Sequence, residues 1–460
     1  MSTSPAEPAE LLASTRRSLL HRVLRGQSEG RAPSMVAGVV RDGRLVWHGV
    51  AGEVDGAAPT DDTQYRIGSI TKTFVAVLVM RLRDAGRVDL GAPLETYLPG
   101  TAAGDRTVRQ LLSHTAGVAS ETPPPWWERS PGEVRPALAD VLGEDPLKGA
   151  AGQRFHYSNP GFALLGALVA RLHDRPWGDV LRDEVLLPLG MTRTTLMPEP
   201  PHALGWAVHP WADVLLPEPT PDAGLMAPAG QLWSTVQDLA RYAAFVMAGD
   251  DRVLPRTTLE EMREPLAPAG PDGSGYGLGL QLFGGARPLV GHGGSMPGFL
   301  AGLGGSVEDD VAAVVFANAT SGPAVGAVLA DLIGTVADAE PRPPKPWRPL
   351  AGVDADLLAL TGPWYWGAAP LALRLLPDRG LELVALGQPG RESRFRAQPD
   401  GSWLGLDHYY VGETLRVVRD ADGAVTHLDL GSFVLTREPY PATGVVPGGV
   451  DAGGWVGIAR

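Results

Sequence analysis

The chain has 460 residues, 44% hydrophobic and 20% charged, with a net charge of −13 and an isoelectric point near 5.3. That length calls for more than one core, and the acidic balance argues against nucleic acid or an anionic membrane as a partner. Cysteine is absent, which removes disulfides, thiolate catalysis and cysteine-ligated metal.

The first ten residues are polar and rich in Ala and Pro, without a basic start and apolar run of the secretory kind. The longest apolar runs, Thr73–Met80, Phe162–Ala170 and Val311–Ala319, are too short to span a bilayer. The expectation is a cytoplasmic protein. Leu11 to Leu24 reads as an amphipathic helix with Leu12, Leu19, Leu20, Val23 and Leu24 on its apolar side. Strands over Met35–Arg41 and Leu45–Val50 follow, joined by the hairpin signal Asp42-Gly43. A helix is then expected from Ser69 to Ala85, stopped by Gly86.

That helix carries Ser69 and Lys72, three residues apart and so on one face. A desolvated lysine can take a hydroxyl proton near neutral pH, whereas arginine cannot. Only three of the 39 cationic residues are lysines (Lys72, Lys148 and Lys345). A GC-rich genome explains that scarcity equally well, and a solvated Ser-x-x-Lys face is the bland alternative.

Further along, Leu111 to Gly117 ends a short helix in a turn, with His114 as a donor holding it. Val118–Val134 is a loop rich in Pro, Glu and Trp, including Trp126 and Trp127. Tyr157-Ser158-Asn159 lies in a turn before a helix from Phe162 to about Leu172. Met197–Ala229 is a second long irregular region, containing Trp206. Loops of this length in a compact domain are usually binding loops or lids; the tryptophans are candidates for a pocket rim, with plain packing as the alternative. A helix over Thr235–Met247 precedes strands at Gly277–Phe283, Phe299–Ser306 and Val311–Asn318, and a helix over Ala324–Ala337 closes the region.

Glu340 to Trp347 is Pro-rich, a stiff linker by composition. Eight short runs separated by Asp/Gly turns follow, from Gly362–Trp366 to Phe433–Thr436, with no helical run. They read as a small antiparallel barrel or sandwich. The tail from Tyr440 is Gly- and Pro-rich. Histidines are scattered without ligand spacing, so no metal is expected; no phosphate or dinucleotide loop appears, so no cofactor is expected either.

Ser69-x-x-Lys72, Tyr157-Ser158-Asn159 and Gly291-His292-Gly293-Gly294-Ser295 occur in this order, together with Leu-Leu-Ser-His-Thr-Ala-Gly (111–117), Tyr-Ser-Asn-Pro-Gly (157–161), Pro-Leu-Gly-Met (188–191), Gly-Gln-Leu-Trp-Ser-Thr (230–235) and Tyr-Gly-Leu-Gly (276–279). In this set the chain resembles the penicillin-recognising serine hydrolases, in the branch of class C β-lactamases, D-aminopeptidases and related esterases. The resemblance runs from about Met35 to Ala339. It implies a three-layer α/β transpeptidase-like domain with an antiparallel sheet flanked by helices (1–339). A linker (340–353), a lipocalin-like antiparallel β-barrel (354–439) and a flexible tail (440–460) complete the expected organisation.

Ser69 is the expected nucleophile, with Lys72 and Tyr157 as alternative or shared bases. Asn159 can donate to Lys72 or to a substrate carbonyl. The resemblance implies an oxyanion hole from the backbone N–H groups of Ser69 and Ser295, with His292, Gly293 and Gly294 on the substrate side. β-Lactamases and carboxypeptidases of this superfamily usually carry Lys-Thr-Gly where this chain has His292-Gly293-Gly294. Histidine is only partly charged at neutral pH and glycine has no hydroxyl, so a substrate carboxylate is not the expected recognition element. Ester or amide hydrolysis of a small-molecule or peptide substrate is expected before β-lactam hydrolysis. Release or cyclisation of nonribosomal peptides is the alternative within the enzyme class. A catalytically idle binding relative is the alternative outside it.

Overall fold

In the computed structural model, the described residues are 10–134, 137–267, 273–342, 347, 349–350, 352, 354–387 and 390–440. Contacts divide the chain into two compact units, Met1–Pro343 and Pro344–Arg460.

The first unit is organised on a seven-stranded antiparallel sheet. Its strands are β1 (Ser34–Arg41), β2 (Arg44–Gly52), β3 (Gly275–Tyr276), β4 (Gln281–Phe283), β5 (Leu289–Met296), β6 (Phe299–Ser306) and β7 (Val311–Ala317), in the spatial order β2-β1-β7-β6-β5-β4-β3. Asp42 (φ 53°) and Gly43 (φ 71°) both take positive φ in the β1–β2 turn, the backbone that a two-residue hairpin with right-handed twist requires. The strand expected over Gly277–Phe283 shrinks to β4, with the short β3 ahead of the expected range. Gly279 (φ 75°) breaks the run between them.

β7 shows why two layers of helices are needed. Val311, Ala313, Val315 and Ala317 point into one core, and Ala312, Val314 and Phe316 into the other; with both faces apolar, the strand reads as an unbroken hydrophobic run. On one side lie α1 (Ala13–Gly30) and, near the end of the unit, the helix Val325–Ala339. On the other lie α2 (Thr71–Asp84), α3 (Asn159–His173) and α4 (Val236–Ala248). The buried stripe of α1 is Thr15, Leu19, Val23, Gly26 and Gly30. Leu12, Leu20 and Leu24, expected on the apolar side, are exposed. Their leucines offset the stripe by one position, and the four-residue spacing won.

The second unit is an eight-stranded antiparallel sheet with every strand paired to its chain neighbours. Its strands are β8 (Gly362–Trp366), β9 (Ala369–Leu375), β10 (Leu381–Ala385), β11 (Ser393–Ala397), β12 (Trp403–Gly405), β13 (Thr414–Arg419), β14 (Val425–Leu430) and β15 (Phe433–Leu435). Tyr365 in β8 and Thr436 just after β15 exchange backbone hydrogen bonds at 2.7 and 2.9 Å, so the sheet is a nearly closed barrel. Trp364, Leu383, Phe395 and Leu415 fill its interior. A short helix, Ala355–Leu360, precedes β8 where no helix was expected; Leu360 joins the barrel core and its carbonyl accepts the Trp364 indole N–H. Beyond Tyr440 the expected tail lies outside the described residues, as does part of the expected linker.

Candidate active site

Ser69 sits in a single 3₁₀ turn, Gly68–Ile70, that enters α2 at Thr71. Positions i and i+3 eclipse in such a turn, and Lys72 Nζ lies 2.9 Å from Ser69 Oγ. The same nitrogen donates to the Ala229 carbonyl at 2.6 Å, which orients what remains of the amine toward the serine. Every residue of α2 from Thr71 to Met80 is buried, Lys72 at 0% exposure, so this helix is apolar all round and central to its layer. Burial pushes the Lys72 amine down to about 7, against the partial opposition of the Glu121 and Glu128 carboxylates. A substantial fraction of such amines is neutral at physiological pH and able to take the serine proton.

Tyr157 lies two residues ahead of α3. Its ring centre is 4.9 Å from Lys72 Nζ, and its hydroxyl is close enough to Ser69 to feel that side chain. Burial drives this phenol well above its ordinary value. The two alternative bases therefore separate: near pH 7 the amine can give up its proton while the phenol keeps its own. Ser158 is the cap of α3, accepting the Gly161 N–H at 2.9 Å and donating to the Ala119 carbonyl at 2.6 Å. His114 (φ 56°) accepts the Ser158 N–H on Nδ1 at 3.1 Å. It was expected as a donor holding its turn; here it is an acceptor bracing the turn that carries Tyr157. Burial, with the nearby Lys72 charge, holds its pKa well below the ordinary histidine range.

Of the two partners open to Asn159, Lys72 and a substrate carbonyl, the first is not taken up. Asn159 Nδ2 donates to Glu121 Oε1 at 2.8 Å, and no hydrogen bond to Lys72 is present. The other Glu121 oxygen accepts the Trp127 indole N–H at 2.8 Å. Glu121 is nonetheless exposed, so a carboxylate held by two buried donors lies close enough to act on the Lys72 and Tyr157 side chains.

β5 supplies the far wall. His292 is buried, and burial together with the Lys72 charge pushes it down to about 4. Nδ1 faces the Gly293 carbonyl at 2.5 Å and Nε2 faces the Tyr276 hydroxyl at 3.0 Å, an arrangement that assigns the ring proton to Nδ1. Gly293 and Ser295 are exposed while Gly294 is buried, as strand alternation requires. A Cβ on Gly294 would lie 1.9 Å from the Ile67 carbonyl oxygen and 3.3 Å from Ser69 N; one on Gly68 (φ 52°) would lie 2.5 Å from Ser295 N. Two glycines thus let the Ser69 turn and β5 touch backbone to backbone, bringing the Ser69 and Ser295 amides to one place.

The three tryptophans part company. Trp126 is exposed, its indole bonded to Glu128 and its ring 4.5 Å from the Arg129 guanidinium. Trp127, expected at a pocket rim, is 4% exposed and belongs to the core; its ring is the anchor that positions Glu121. Trp206 opens a short strand, Trp206–Val208, and is partly buried. Sequence reasoning missed Glu121, Tyr276 and the Ala229 carbonyl. Tyr276 stood inside a motif already singled out, and Glu121 lay in the acidic, Trp-rich loop. No cluster of metal-binding side chains occurs among the described residues, and no described helix is long and apolar enough to cross a membrane.

Comparison with known proteins agrees with this geometry. The Beta-lactamase family model matches residues 20–338, and a domain of unknown function, DUF7586, matches residues 353–437. "Beta-lactamase-like protein 2" of Dictyostelium discoideum is 28% identical over 282 residues, 57% of this chain; the match spans only about half of that relative (51%). A "D-aminopeptidase" of Cereibacter sphaeroides is 26% identical over 453 residues, 92% of this chain and 79% of the relative. The solved structure of a D-stereospecific amidohydrolase from Streptomyces sp. is 28% identical, with a TM-score of 0.56 over 71% of this chain and 98% of the other. The chain belongs to the Beta-lactamase family of serine hydrolases.

Proposed function

We propose that this protein is an amidohydrolase or aminopeptidase that cleaves amides or esters of amino acids carrying a free amino group, through an acyl-enzyme on Ser69. The observation that carries the reading is the 2.9 Å contact between Ser69 Oγ and a fully buried Lys72. Lys72 takes the Ser69 proton as Oγ attacks the carbonyl, and the Ser69 and Ser295 N–H groups receive the oxyanion. The Tyr157 hydroxyl, near both Ser69 and Lys72, relays the proton that Lys72 took to the leaving group. Water then releases the acid.

The substrate class follows from charge. Burial leaves Lys72 only partly charged near pH 7 and engaged with Ser69 and the Ala229 carbonyl, and His292 is neutral, so no full cation is free to greet a substrate carboxylate. The exposed Glu121 carboxylate instead suits an ammonium group. The names of the D-aminopeptidase and D-stereospecific relatives favour the D configuration. A panel of D- and L-amino acid amides, their N-acetyl derivatives and nitrocefin tests this, with Ser69→Ala as the blank. The free-amine D-amides are expected to be the best substrates. Equal turnover of N-acetylated amides, or nitrocefin as the best substrate, would sink the reading. Glu121→Gln is expected to raise KM for free-amine substrates by roughly tenfold or more, the loss of one charge-assisted contact, with N-acetyl substrates unaffected.

A converse prediction concerns penicillins. A Cβ on Gly293 meets nothing within 4 Å, so a side chain can branch there into open space. In His292→Lys/Gly293→Thr, hydrolysis of benzylpenicillin is expected to rise by about ten- to a hundredfold, the worth of a charged hydrogen bond to the substrate carboxylate. Efficient penicillin turnover by the wild type would refute it.

A further inference from the structure

The two ends of the barrel are chemically unlike. In an antiparallel meander every second connection lies at the same end. The connections after β9, β11 and β13 carry Asp378, Asp400, Asp420 and Asp422. Those after β8, β10 and β12 lie at the other end; they carry Glu392, Asp407 and Glu413 as well, but this end also exposes Trp366 at the close of β8 and Leu386, Leu406, Tyr409 and Val411, each between 39% and 63%. A rim of large apolar side chains left in water marks a binding surface more often than a solvated face.

Inside this apolar mouth is a cavity of about 420 Å³, a size that holds a small organic ligand. Arg391 is the one charged residue among its described lining residues. The guanidinium is 4.4 Å from the ring centre of Trp366, 4.5 Å from that of Phe433 and 5.2 Å from that of Tyr409. Stacking alone could explain that placement, as cation–π packing. Two further facts do not follow from stacking. Arg391 Nη1 is buried with no hydrogen-bond partner among the described residues. No carboxylate among the described residues forms an ion pair with Arg391, whereas neighbouring Arg394 is paired with Asp407 at 2.6 Å. Beyond those rings, its polar neighbour is the Tyr410 side chain, whose phenol it favours in the ionised form. A rigid fork of donors, held by aromatic faces at the mouth of an apolar cavity and lacking a counter-ion, is complementary to a planar anion.

We propose that this mouth binds a small amphipathic monocarboxylate, its carboxylate on Arg391 and its apolar body against Trp366, Leu371 and Tyr410. A single cation matches a single negative charge, which separates this ligand class from phosphates. The site is independent of the Ser69 chemistry and does not rest on that reading.

Calorimetric titration of the full chain with octanoate, octanol and octylammonium tests it. Octanoate is expected to bind at one saturable site, octanol at least tenfold more weakly, and octylammonium not at all. Arg391→Met should weaken octanoate at least tenfold and leave octanol unchanged. Labelling Ser69 with a fluorophosphonate should leave octanoate binding intact. The comparison of the three head groups in the wild type needs no variant, so a poorly folding Arg391→Met does not decide the matter. Any one of three results overturns the proposal: no octanoate binding at millimolar concentration, equal binding of the three probes, or displacement of octanoate by Ser69 labelling.

Discussion

Lys72→Met is expected to remove activity and, at the same time, to stabilise the protein. The Ser69 hydroxyl remains but nothing nearby can take its proton, so kcat/KM should fall by roughly 10²–10⁴. Lys72→Arg should fall as far, since a guanidinium keeps its proton under all working conditions. In the wild type, kcat/KM should rise with pH to a plateau with a midpoint near the Lys72 value of about 7. That limb should disappear in both variants. A Lys72→Arg enzyme that keeps the rise near pH 7 would show that another group is the base.

The stability half of this expectation follows from proton linkage. Burial lowers the folded-state pKa of Lys72 from 10.5 to about 7. Between those values the unfolded chain holds a proton that the folded protein has lost, so wild-type stability rises with pH across that window. Below about 7 both states are protonated and the cost of burying the ammonium is present in full. Methionine removes that cost while filling similar volume. Lys72→Met should therefore be more stable than wild type at pH 6 by on the order of a few kcal/mol and unfold at a higher temperature, and the difference should shrink toward pH 10. Equal unfolding temperatures at pH 6 would mean that the ammonium is better solvated than its complete burial implies.

The second large effect is expected from a single methyl group. Gly294→Ala places a carbon where only 1.9 Å separates it from the Ile67 carbonyl oxygen, and both sides of that contact are backbone. Either β5 or the Ser69 turn must move, which separates the Ser69 and Ser295 amides. Loss of one properly placed oxyanion donor costs roughly 10²–10³ in turnover, and kcat rather than KM should carry it. Gly293→Ala is the control on the same strand: its Cβ meets nothing within 4 Å, so Ser69 labelling and unfolding temperature should match wild type. If Gly294→Ala turned over substrate normally, the proposed oxyanion site would be misplaced.

Local information made much of this protein legible. Eight short runs punctuated by Asp/Gly turns marked the barrel strands, because each turn needs residues tolerant of positive φ and each strand alternates. Ser69 and Lys72 were readable as a touching pair, although the turn between them is 3₁₀ rather than α; both geometries bring i and i+3 together, so the error did not matter. The helix Ala355–Leu360 was missed because six residues are too few for periodicity to declare itself, and Leu12, Leu20 and Leu24 were misplaced because a leucine-rich helix offers more than one apolar stripe.

The site's electrostatics lay beyond sequence. Whether Lys72 is a base depends on complete burial and on the Ala229 carbonyl, 157 residues away in the chain. The partner of Asn159 turned on Glu121, and the neutrality of His292 on burial and on the nearby Lys72 charge, none of which is encoded by spacing along one helix or strand. The sequence by itself determined which chemical groups are present and which local turns present them. Only the tertiary structure decided their charge states and the approach of β5 to the Ser69 turn, because desolvation and backbone contact depend on what long-range packing places around each group.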